Sequence, residues 1–323
     1  QYATVYTFAE SPVEPGIYWA GTDDGNLQVS TDGGNTWTNL TARFYDDRGR
    51  PKGKIQGDRI LYDHWVTKVE PSAHKKERCY VTYSGYRTHD EDNSYIFVTE
   101  DMGRTWTDLS GGMMNPVRDM EEDPDNENVL YLATDYGLFV SLDRGQNWMQ
   151  MNPDAPDVIA MSIDIQKRER DMAVGTYGRG IYIMDIYPFK EMTAELLDKP
   201  HHLFEIQNVV KWNMKEMRGQ QYGEFARVAN PPVGSDIYYY LKEDSERVKL
   251  LIKDASGEIV QEIALKSKPG LHKAFWNLRK RGEEESRWRR APMVDPGTYQ
   301  VVFQVNEEEI MQQTLTVRPD LEF

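Results

Sequence analysis

Hydrophobic and polar residues alternate along the first part of the chain in short runs that end at turn-forming residues. Val5-Tyr6-Thr7-Phe8-Ala9 is the first run, and Glu10-Ser11-Pro12 stops it. Alternation of this kind is typical of a β-strand with one face in a core. Three more short runs follow before residue 41, at 16–21, 27–30 and 37–40. The pattern predicts one unit of four short antiparallel strands.

The same order of runs returns further along the chain, which predicts a repeat protein. A second unit covers about 65–109, a third begins at Val117, and a fourth covers 158–185. Between the first two units, residues 41–63 are charged and rich in glycine, so we expect a long loop there. Four-stranded antiparallel units in tandem are the make-up of β-propeller blades.

One eight-residue motif closes each of the first three units. It has a small hydroxyl residue, then Asp two positions on, Gly two further and Trp three after that. The copies are Ser30–Trp37, Thr99–Trp106 and Ser141–Trp148. The Asp is expected to cap backbone N–H groups of a turn, and the Gly to take a left-handed conformation. The predicted structural residues are Asp32, Trp37, Asp101, Trp106, Asp143 and Trp148.

The last third of the chain has a different organisation. Residues 188–222 have mixed signals and are predicted to form a linker. From residue 223 the pattern is again all β, with six or seven short strands in about 95 residues, as in an immunoglobulin-like sandwich. The predicted fold class is therefore all-β. A partial propeller of about four blades (residues 1–187) precedes the linker and the Ig-like sandwich (223–323).

The repeated motif resembles the Asp-box, or BNR repeat, of bacterial sialidases, sortilin (VPS10) propellers and two-propeller xyloglucanases. Asp254-x-x-Gly257, Trp276-Asn277 and Pro296-Gly297-Thr298-Tyr299 resemble the FlgD-type Ig-like module of secreted bacterial proteins. In this order the two parts resemble the C-terminal part of large bacterial sortilin-like proteins. The resemblance implies an exported bacterial protein, whether periplasmic, outer-membrane-associated or extracellular. Since propellers usually close with more than four blades, upstream blades are expected on the same precursor or on another chain.

Composition narrows the classes of partner. The formal charge of −15 argues against a nucleic-acid partner, because phosphate binding needs a basic surface. No apolar run reaches the roughly 18 residues of a membrane-spanning helix. The single cysteine, Cys79, lies in a strand pattern and is expected to be a small buried residue.

The sequence offers several candidate residues for a glycosidase active site or a metal site. The repeated Asp-box carboxylates fit a structural turn, whereas a glycosidase needs two carboxylates converging on one bond. A sialidase is disfavoured because its Arg-Ile-Pro motif is absent, and a xyloglucanase-like site would need a second propeller. Ca²⁺ is the one cofactor considered, at the acidic loops 89–93 and 123–128. Adjacent His201 and His202 point to opposite sides of a strand, so no metal site is predicted there.

Binding is the broader expectation. Loops at one end of a propeller form a platform, and aromatic rings with arginines suit sugars or peptides. The candidate ligand-binding residues are Tyr83, Tyr86, Arg87, His89, Tyr136, Tyr177 and Arg179. The same residue types also serve simply to solvate blade edges. We therefore expect non-catalytic recognition of a glycan or protein partner. The alternatives are part of a two-propeller glycoside hydrolase, or a structural subunit of an exported assembly.

Overall fold

The computed structural model describes residues 4–41, 64–151, 158–212, 232–281 and 291–320. The chain divides into two compact units, residues 1–194 and 195–323. Both are built from antiparallel sheets, and the predicted all-β fold is confirmed. None of the helices in the described ranges has the length and apolar character needed to cross a bilayer.

The first unit consists of four small antiparallel sheets, which are the four predicted blades. In each, the strands follow one another in chain order, so the first strand is innermost and the last outermost. Blade 1 contains β1 (Val5–Glu10), β2 (Tyr18–Thr22), β3 (Leu27–Ser30) and β4 (Thr38–Asn39). Blade 2 contains β5 (Trp65–Pro71), β6 (Cys79–Ser84), β7 (Tyr95–Thr99) and β8 (Thr107–Asp108), with helix α1 (Tyr86–His89) between β6 and β7.

Blades 3 and 4 repeat this plan with a difference at the outer edge. Blade 3 contains β9 (Val117–Glu122), β10 (Leu130–Thr134), β11 (Gly137–Ser141) and β12 (Met149–Gln150). Blade 4 contains β13 (Ala160–Gln166), β14 (Asp171–Thr176) and β15 (Ile181–Asp185), and its described part has no fourth strand. A 3-10 helix (Tyr187–Glu191) and helix α2 (Ala194–Asp198) follow.

The inner strands of neighbouring blades are linked by hydrogen bonds from backbone to side chain. The N–H of Val69 on β5 donates to Oγ1 of Thr7 on β1 at 3.1 Å. The N–H of Ile163 on β13 donates to Oδ2 of Asp119 on β9 at 3.0 Å. Polar side chains on the inner strands thus satisfy backbone groups that no ladder partner reaches.

Each Asp-box folds into the same hydrogen-bonded turn. Ser30 Oγ donates to Asp32 Oδ1 and accepts the N–H of Gly34, both at 2.9 Å. Asp32 Oδ1 also accepts the N–H of Thr36 at 2.9 Å. The same three bonds recur in the other two copies at 2.7–2.9 Å. Gly34 has φ of 86°, in the left-handed region that favours glycine, as do its counterparts in the other copies.

The Asp-box turn also forms the contact between one blade and the blade before it. A Cβ on Gly103 of blade 2 would lie 2.5 Å from Leu40, the residue that follows the outer strand of blade 1. A Cβ on Gly145 of blade 3 would lie 2.7 Å from Leu109, at the same position in blade 2. The indole N–H of Trp148 then donates to the carbonyl of Leu109 at 2.9 Å. Glycine is therefore required twice over, for its φ and for the leucine that packs on it.

Buried charges hold blade 3 to both of its neighbours. Arg78 of blade 2 lies 3.3 Å from Glu122 of blade 3, and both side chains are almost fully buried. Arg170 of blade 4 lies 2.5 Å from Asp123 of blade 3, and both are again buried. The hydroxyl of Tyr131 donates to the same Asp123 carboxylate at 2.8 Å. Burial and the negative charge of Asp123 raise the pKa of this tyrosine well above its usual value.

The second unit is a sandwich of two sheets around one core. A three-stranded antiparallel sheet has the order β16 (His201–Leu203), β18 (Ser235–Leu241), β21 (Gly270–Trp276). A five-stranded sheet has the order β17 (Val209–Lys211), β23 (Glu308–Pro319), β22 (Gly297–Val305), β19 (Val248–Lys253), β20 (Ile259–Ala264). Only β17 and β23 pair in parallel within the described part of this sheet. Strands β16 and β17 lie in the stretch predicted as a linker.

The core of the sandwich comes from the alternating positions of both sheets. Ile237, Tyr239 and Leu241 point inward from β18 and pack with Leu250 and Phe303 of the larger sheet. The hydroxyl of Tyr239 donates to the carbonyl of Lys266 at 2.9 Å. Burial raises the pKa of Tyr239 to about 12. The buried phenol is thus satisfied by a backbone acceptor, as expected for a buried polar tip.

We predict that Asp143→Ala lowers the free energy of unfolding by about 1 kcal/mol, the loss typical of a capping side chain. The bonds that Asp143 accepts from the described residues all come from its own turn, from Ser141 and Asn147. Urea unfolding of the full chain measures the change. Asp143→Asn, which keeps an acceptor oxygen, should lose less; equal losses would mean that the turn does not depend on this cap.

We also predict that Arg170→Met destabilises the first unit by about 3–5 kcal/mol, because it leaves the buried Asp123 carboxylate without its cation. Thermal unfolding monitored by circular dichroism would show the loss. The matched control is Lys76→Ala, which removes an ion pair whose two side chains are about half exposed and should leave the melting temperature unchanged. Similar effects of the two variants would refute a special role for the buried pair.

Candidate functional site

The propeller has two different faces, and the repeats assign different features to each. Inner strands begin at the face where second strands end, since the two are antiparallel: Trp65 pairs with Ser84, and Val117 with Thr134. The turns between second and third strands lie at this face, which we call the mouth face. The Asp-box turns lie at the opposite ends of the strands. The predicted binding and structural residues therefore occupy opposite faces.

A β-bulge interrupts every inner strand near the mouth face. In each ladder the pairing skips one residue of the inner strand. In blade 2, for example, Val66 pairs with Tyr83 and Lys68 with Thr82, which leaves Thr67 as the extra residue. The bulge residues of the four blades are Tyr6, Thr67, Arg118 and Met161. A bulge redirects a side chain, and bulges are common next to functional sites.

All four bulge residues line one pocket at the mouth face. Its remaining wall consists of Trp65 at the start of β5, Ser84 at the end of β6, and Arg87 on helix α1. The cavity has a volume of about 30 Å³. This space holds a water molecule or a small chemical group. Four sequence-distant strands thus converge on one small cavity, which we call the bulge pocket.

Aromatic rings and guanidinium groups dominate the bulge pocket. The rings of Tyr6 and Trp65 meet edge to face with centroids 5.2 Å apart. The guanidinium of Arg87 lies 4.7 Å from the centroid of the Trp65 ring, within range of a cation–π contact. Arg118 donates to both oxygens of Asp135, at 2.5 and 2.6 Å. The charge of Arg118 is therefore neutralised by Asp135.

The loop that carries Arg87 is fixed by a second polar cluster. His64 Nε2 lies 2.5 Å from Glu91 Oε1, and the hydroxyl of Tyr95 donates to the same oxygen at 2.9 Å. Burial opposes ionisation of Glu91, but the hydrogen bonds from His64 and Tyr95 prevail and lower its pKa below the usual value. Gly85 is needed at the base of this loop, because a Cβ would lie 2.2 Å from Glu91 Oε1.

The predicted ligand-binding residues fall into four groups. Arg87 lines the pocket, and the ring of Tyr86 lies 5.2 Å below the Arg118 guanidinium beside it. Tyr136, Tyr177 and Arg179 are exposed on mouth-face turns but do not line the pocket. Tyr83 is 2% exposed and packs on Phe97 in the core between blades 1 and 2, because β6 is a central strand buried throughout. The side chain of His89 lies outside the described residues.

Sequence reasoning missed the bulge residues themselves. Tyr6, Thr67 and Met161 were read as ordinary strand positions, and Arg118 as part of a third-blade strand. A bulge adds one residue without any required residue type, so nothing in a single strand identifies it. Only the comparison of four repeats in register, which the ladder pairings provide, brings these positions together.

Below the pocket, the inner strands place three carboxylates around one lysine. Lys68 Nζ lies 2.9 Å from Asp119, 2.9 Å from Glu121 and 3.5 Å from Glu70. Burial, and then the neighbouring charge of Glu121, raise the pKa of Glu70 well above its usual value. Burial also raises the pKa of Glu121. One ammonium among three acids leaves this inner site short of positive charge.

In each of the two acidic loops considered for Ca²⁺, one carboxylate is bound by several protein groups. Asp123 Oδ1 accepts the N–H groups of Asp125 and Asn126, and its other oxygen accepts Tyr131 and Arg170. Glu91 is held by His64, Tyr95 and Asn93. Across the described ranges, no three His, Cys, Asp or Glu side chains are grouped as metal ligands.

Asp-box carboxylates have equally local roles. Hydrogen bonds from the side chain and the backbone N–H of Thr36, followed by the bond from Ser30, lower the pKa of Asp32 below its usual value. A carboxyl with a lowered pKa stays ionised, whereas a glycosidase acid needs a raised one. The geometry therefore suits a turn cap and not a proton donor.

Comparison with known proteins finds similarity of overall shape at low sequence identity. No protein-family model and no curated protein matches the chain. Among solved structures, a GH74 xyloglucanase from Xanthomonas campestris is 17% identical, with a TM-score of 0.44, over 74% of this chain and 35% of that one. PorZ, a surface component of the type-IX secretion system of Porphyromonas gingivalis, is 11% identical, with a TM-score of 0.39, over 98% and 45%.

A third similar structure is YCF48 from Cyanidioschyzon merolae, 12% identical, with a TM-score of 0.34, over 74% of this chain and 66% of that one. This chain thus spans about a third of the xyloglucanase and less than half of PorZ. Similarities this distant carry no argument about substrate, partner or activity.

We predict a pH-dependent stability difference between the native chain and Glu70→Gln. Because the folded state raises the pKa of Glu70 above its usual 4.5, it binds this proton more tightly than the unfolded chain does. The native protein therefore loses stability as the pH rises from the ordinary value towards the raised one. Gln cannot ionise, so Glu70→Gln should gain stability relative to the native chain over that range.

Urea unfolding at a series of pH values between 4 and 8 measures this difference. The control is Met149→Leu, an exposed position without an ionisable group, and its difference from the native chain should stay constant over the series. A constant difference for Glu70→Gln as well would show that folding does not raise the pKa of Glu70, and would refute the prediction.

Proposed function

We propose that this protein is a non-catalytic recognition module that binds a protein partner through the mouth face of its propeller. One side chain of the partner enters the bulge pocket, and the surrounding turns contact the rest of the partner. The observation that carries this proposal is the convergence of four bulge residues on a single cavity.

The size of the cavity favours a protein over a glycan. Pockets that enclose small molecules usually measure about 300–1,000 Å³. The bulge pocket, at about 30 Å³, is an order of magnitude smaller and accepts a side-chain tip and not a sugar ring. Exposed aromatic residues on neighbouring turns, Tyr136 at 51% and Tyr177 at 73%, suit the surrounding contact area. Tyrosines of this kind are frequent anchors in protein interfaces.

The lining chemistry indicates which side chains the pocket accepts. Trp65, Tyr6 and Met161 supply an apolar wall, and Ser84 and Thr67 add small polar groups. Arg87 adds N–H donors, and its guanidinium lies over the Trp65 ring. An apolar side chain, with a hydrogen-bond acceptor near its base, satisfies both parts of this wall.

The rest of the chain supports a binding role in an exported protein, as its sequence motifs suggest. The second unit, an Ig-like sandwich by those motifs, serves as a spacer or docking module. Among the described carboxylates of the first unit, Asp32 caps a turn, Asp119 belongs to the Lys68 cluster and Asp123 pairs with Arg170. This supports recognition over glycoside hydrolysis, for which two carboxyl groups must face one bond.

We predict that Met161→Trp abolishes binding of peptides selected on the native chain. The larger side chain fills the pocket from the bulge position, where it is unconstrained by the ladder, so folding should be unaffected. Peptides would be selected from a displayed random library on the purified full chain, and their affinities measured by fluorescence polarisation. The matched control is Met149→Trp, an equally conservative change on outer strand β12, which should leave the affinities unchanged.

Binding to a glycan array in place of peptides, with the same loss in Met161→Trp, would place a sugar in this site and refute the protein ligand. Peptide binding that survives Met161→Trp would refute the bulge pocket as the site.

A further inference from the structure

The contact between successive blades has a fixed set of parts, visible twice in this chain. The earlier blade supplies a leucine directly after its outer strand, Leu40 in blade 1 and Leu109 in blade 2. The later blade supplies the Asp-box glycine on which that leucine sits. The Asp-box tryptophan completes the contact: Trp106 packs on the core of blades 1 and 2, and Trp148 on that of blades 2 and 3.

Blade 1 has the receiving half of this contact, and no leucine of the described residues sits in it. The nearest neighbours that a Cβ on Gly34 would meet are Tyr18 and Trp37 of its own blade, at 3.6 and 4.0 Å, whereas its counterparts would meet a leucine of the preceding blade at 2.5–2.7 Å. Trp37 is 40% exposed. Its indole N–H donates to its own turn, to the carbonyl of Gly34 at 3.1 Å, whereas that of Trp148 donates to the preceding blade.

An apolar surface extends from this site along the innermost strand. Phe8 is 56% exposed and Val5 59% exposed on β1. The Phe8 ring lies 5.5 Å from that of Tyr18, which borders Gly34. The surface is thus continuous from the Asp-box turn to the inner edge of the blade. Exposed apolar patches of this kind mark interaction sites in soluble proteins.

We propose that this surface, defined by Val5, Phe8, Tyr18, Gly34 and Trp37, binds another propeller blade. The partner blade presents the leucine, or a similar apolar residue without a branch at Cβ, that follows its outer strand. This residue seats on Gly34, and Trp37 turns its N–H to the carbonyl of that residue, as Trp148 does to Leu109. Both internal contacts supply the seating of the leucine, and the contact between blades 2 and 3 supplies the tryptophan bond. The proposal therefore extends an interface already present in the molecule and is independent of the bulge pocket.

The structure favours a blade of different sequence over a second copy of this chain. The donor needs an outer strand followed by an apolar residue. Blade 3 has one in Met151, whose N–H bonds the carbonyl of Leu138 as that of Leu40 bonds Leu27. Blade 3 is followed by blade 4, however, so blade 4 is the terminal blade. In the described residues blade 4 ends at β15, after which the chain enters a 3-10 helix. The terminal blade of a second copy therefore has no residue in the donor position.

The first experiment supplies the missing half. A copy of residues 64–115 replaces residues 1–3. The copied Leu109 then precedes Val5 by as many residues as Leu109 precedes Val117 in the native chain. Iodide quenching of Trp37 emission is measured as the difference from the same protein carrying Trp37→Phe. We expect the added blade to remove quenching of Trp37. A matched variant with Leu109→Asp in the copy only should restore it. Unchanged quenching in both proteins would overturn the proposal.

The second experiment does not depend on the added blade folding. A photo-crosslinking residue, p-benzoylphenylalanine, replaces Phe8 in the cells that make the protein, and the product is identified by mass spectrometry. We expect a crosslink to a blade sequence outside residues 1–323. The control position is Tyr177, which is also exposed but lies on the mouth face and should not give this product. A crosslink to a second copy of this chain, to a protein without blades, or to nothing would each overturn the proposal.

Discussion

The packing of a leucine on a glycine is the contact on which the propeller depends. Four short antiparallel sheets have little stability alone, and each must bury a face against the next. Leu40 and Leu109 do this at the outer rim, where a Cβ on the facing glycine would overlap them. Burial of one such leucine contributes about 1.5–3 kcal/mol. The Asp-box hydrogen bonds hold the glycine in the left-handed conformation that exposes its open side to the leucine.

Charge adds to this contact where the blades meet nearer to the axis. Blade 3 is held on one side by Arg78 and on the other by Arg170, each buried against an acid at the end of β9. Isolated buried ions are costly, so these pairs contribute to stability only while both partners are present. Apolar packing therefore holds the outer rim, whereas directional ion pairs fix the rotation of one blade against the next.

The sequence was sufficient for the all-β class and the four propeller blades because its signals were local and repeated. The Asp-box specifies a turn through five neighbouring residues, and strand alternation located nearly all strands of both units. The bulge pocket could not be found in this way. Thr67 and Arg118 come together only because the four ladders each skip one residue at the same level. Tyr83 shows a different error. Its position next to a turn predicted an exposed binding residue, whereas its ring lies in the core.

The bulges also separate the side chains that line the pocket from the backbone pairing that stabilises each sheet. A residue inside a ladder must pack against its cross-strand neighbours, but a bulge residue has no directly paired residue on the adjacent strand. The four equivalent positions accordingly hold a phenol, a small alcohol, a guanidinium and a thioether. Substitutions at these four positions, natural or engineered, can be made independently and leave the backbone pairing intact. A single propeller backbone of this type can therefore support pockets of different binding specificity.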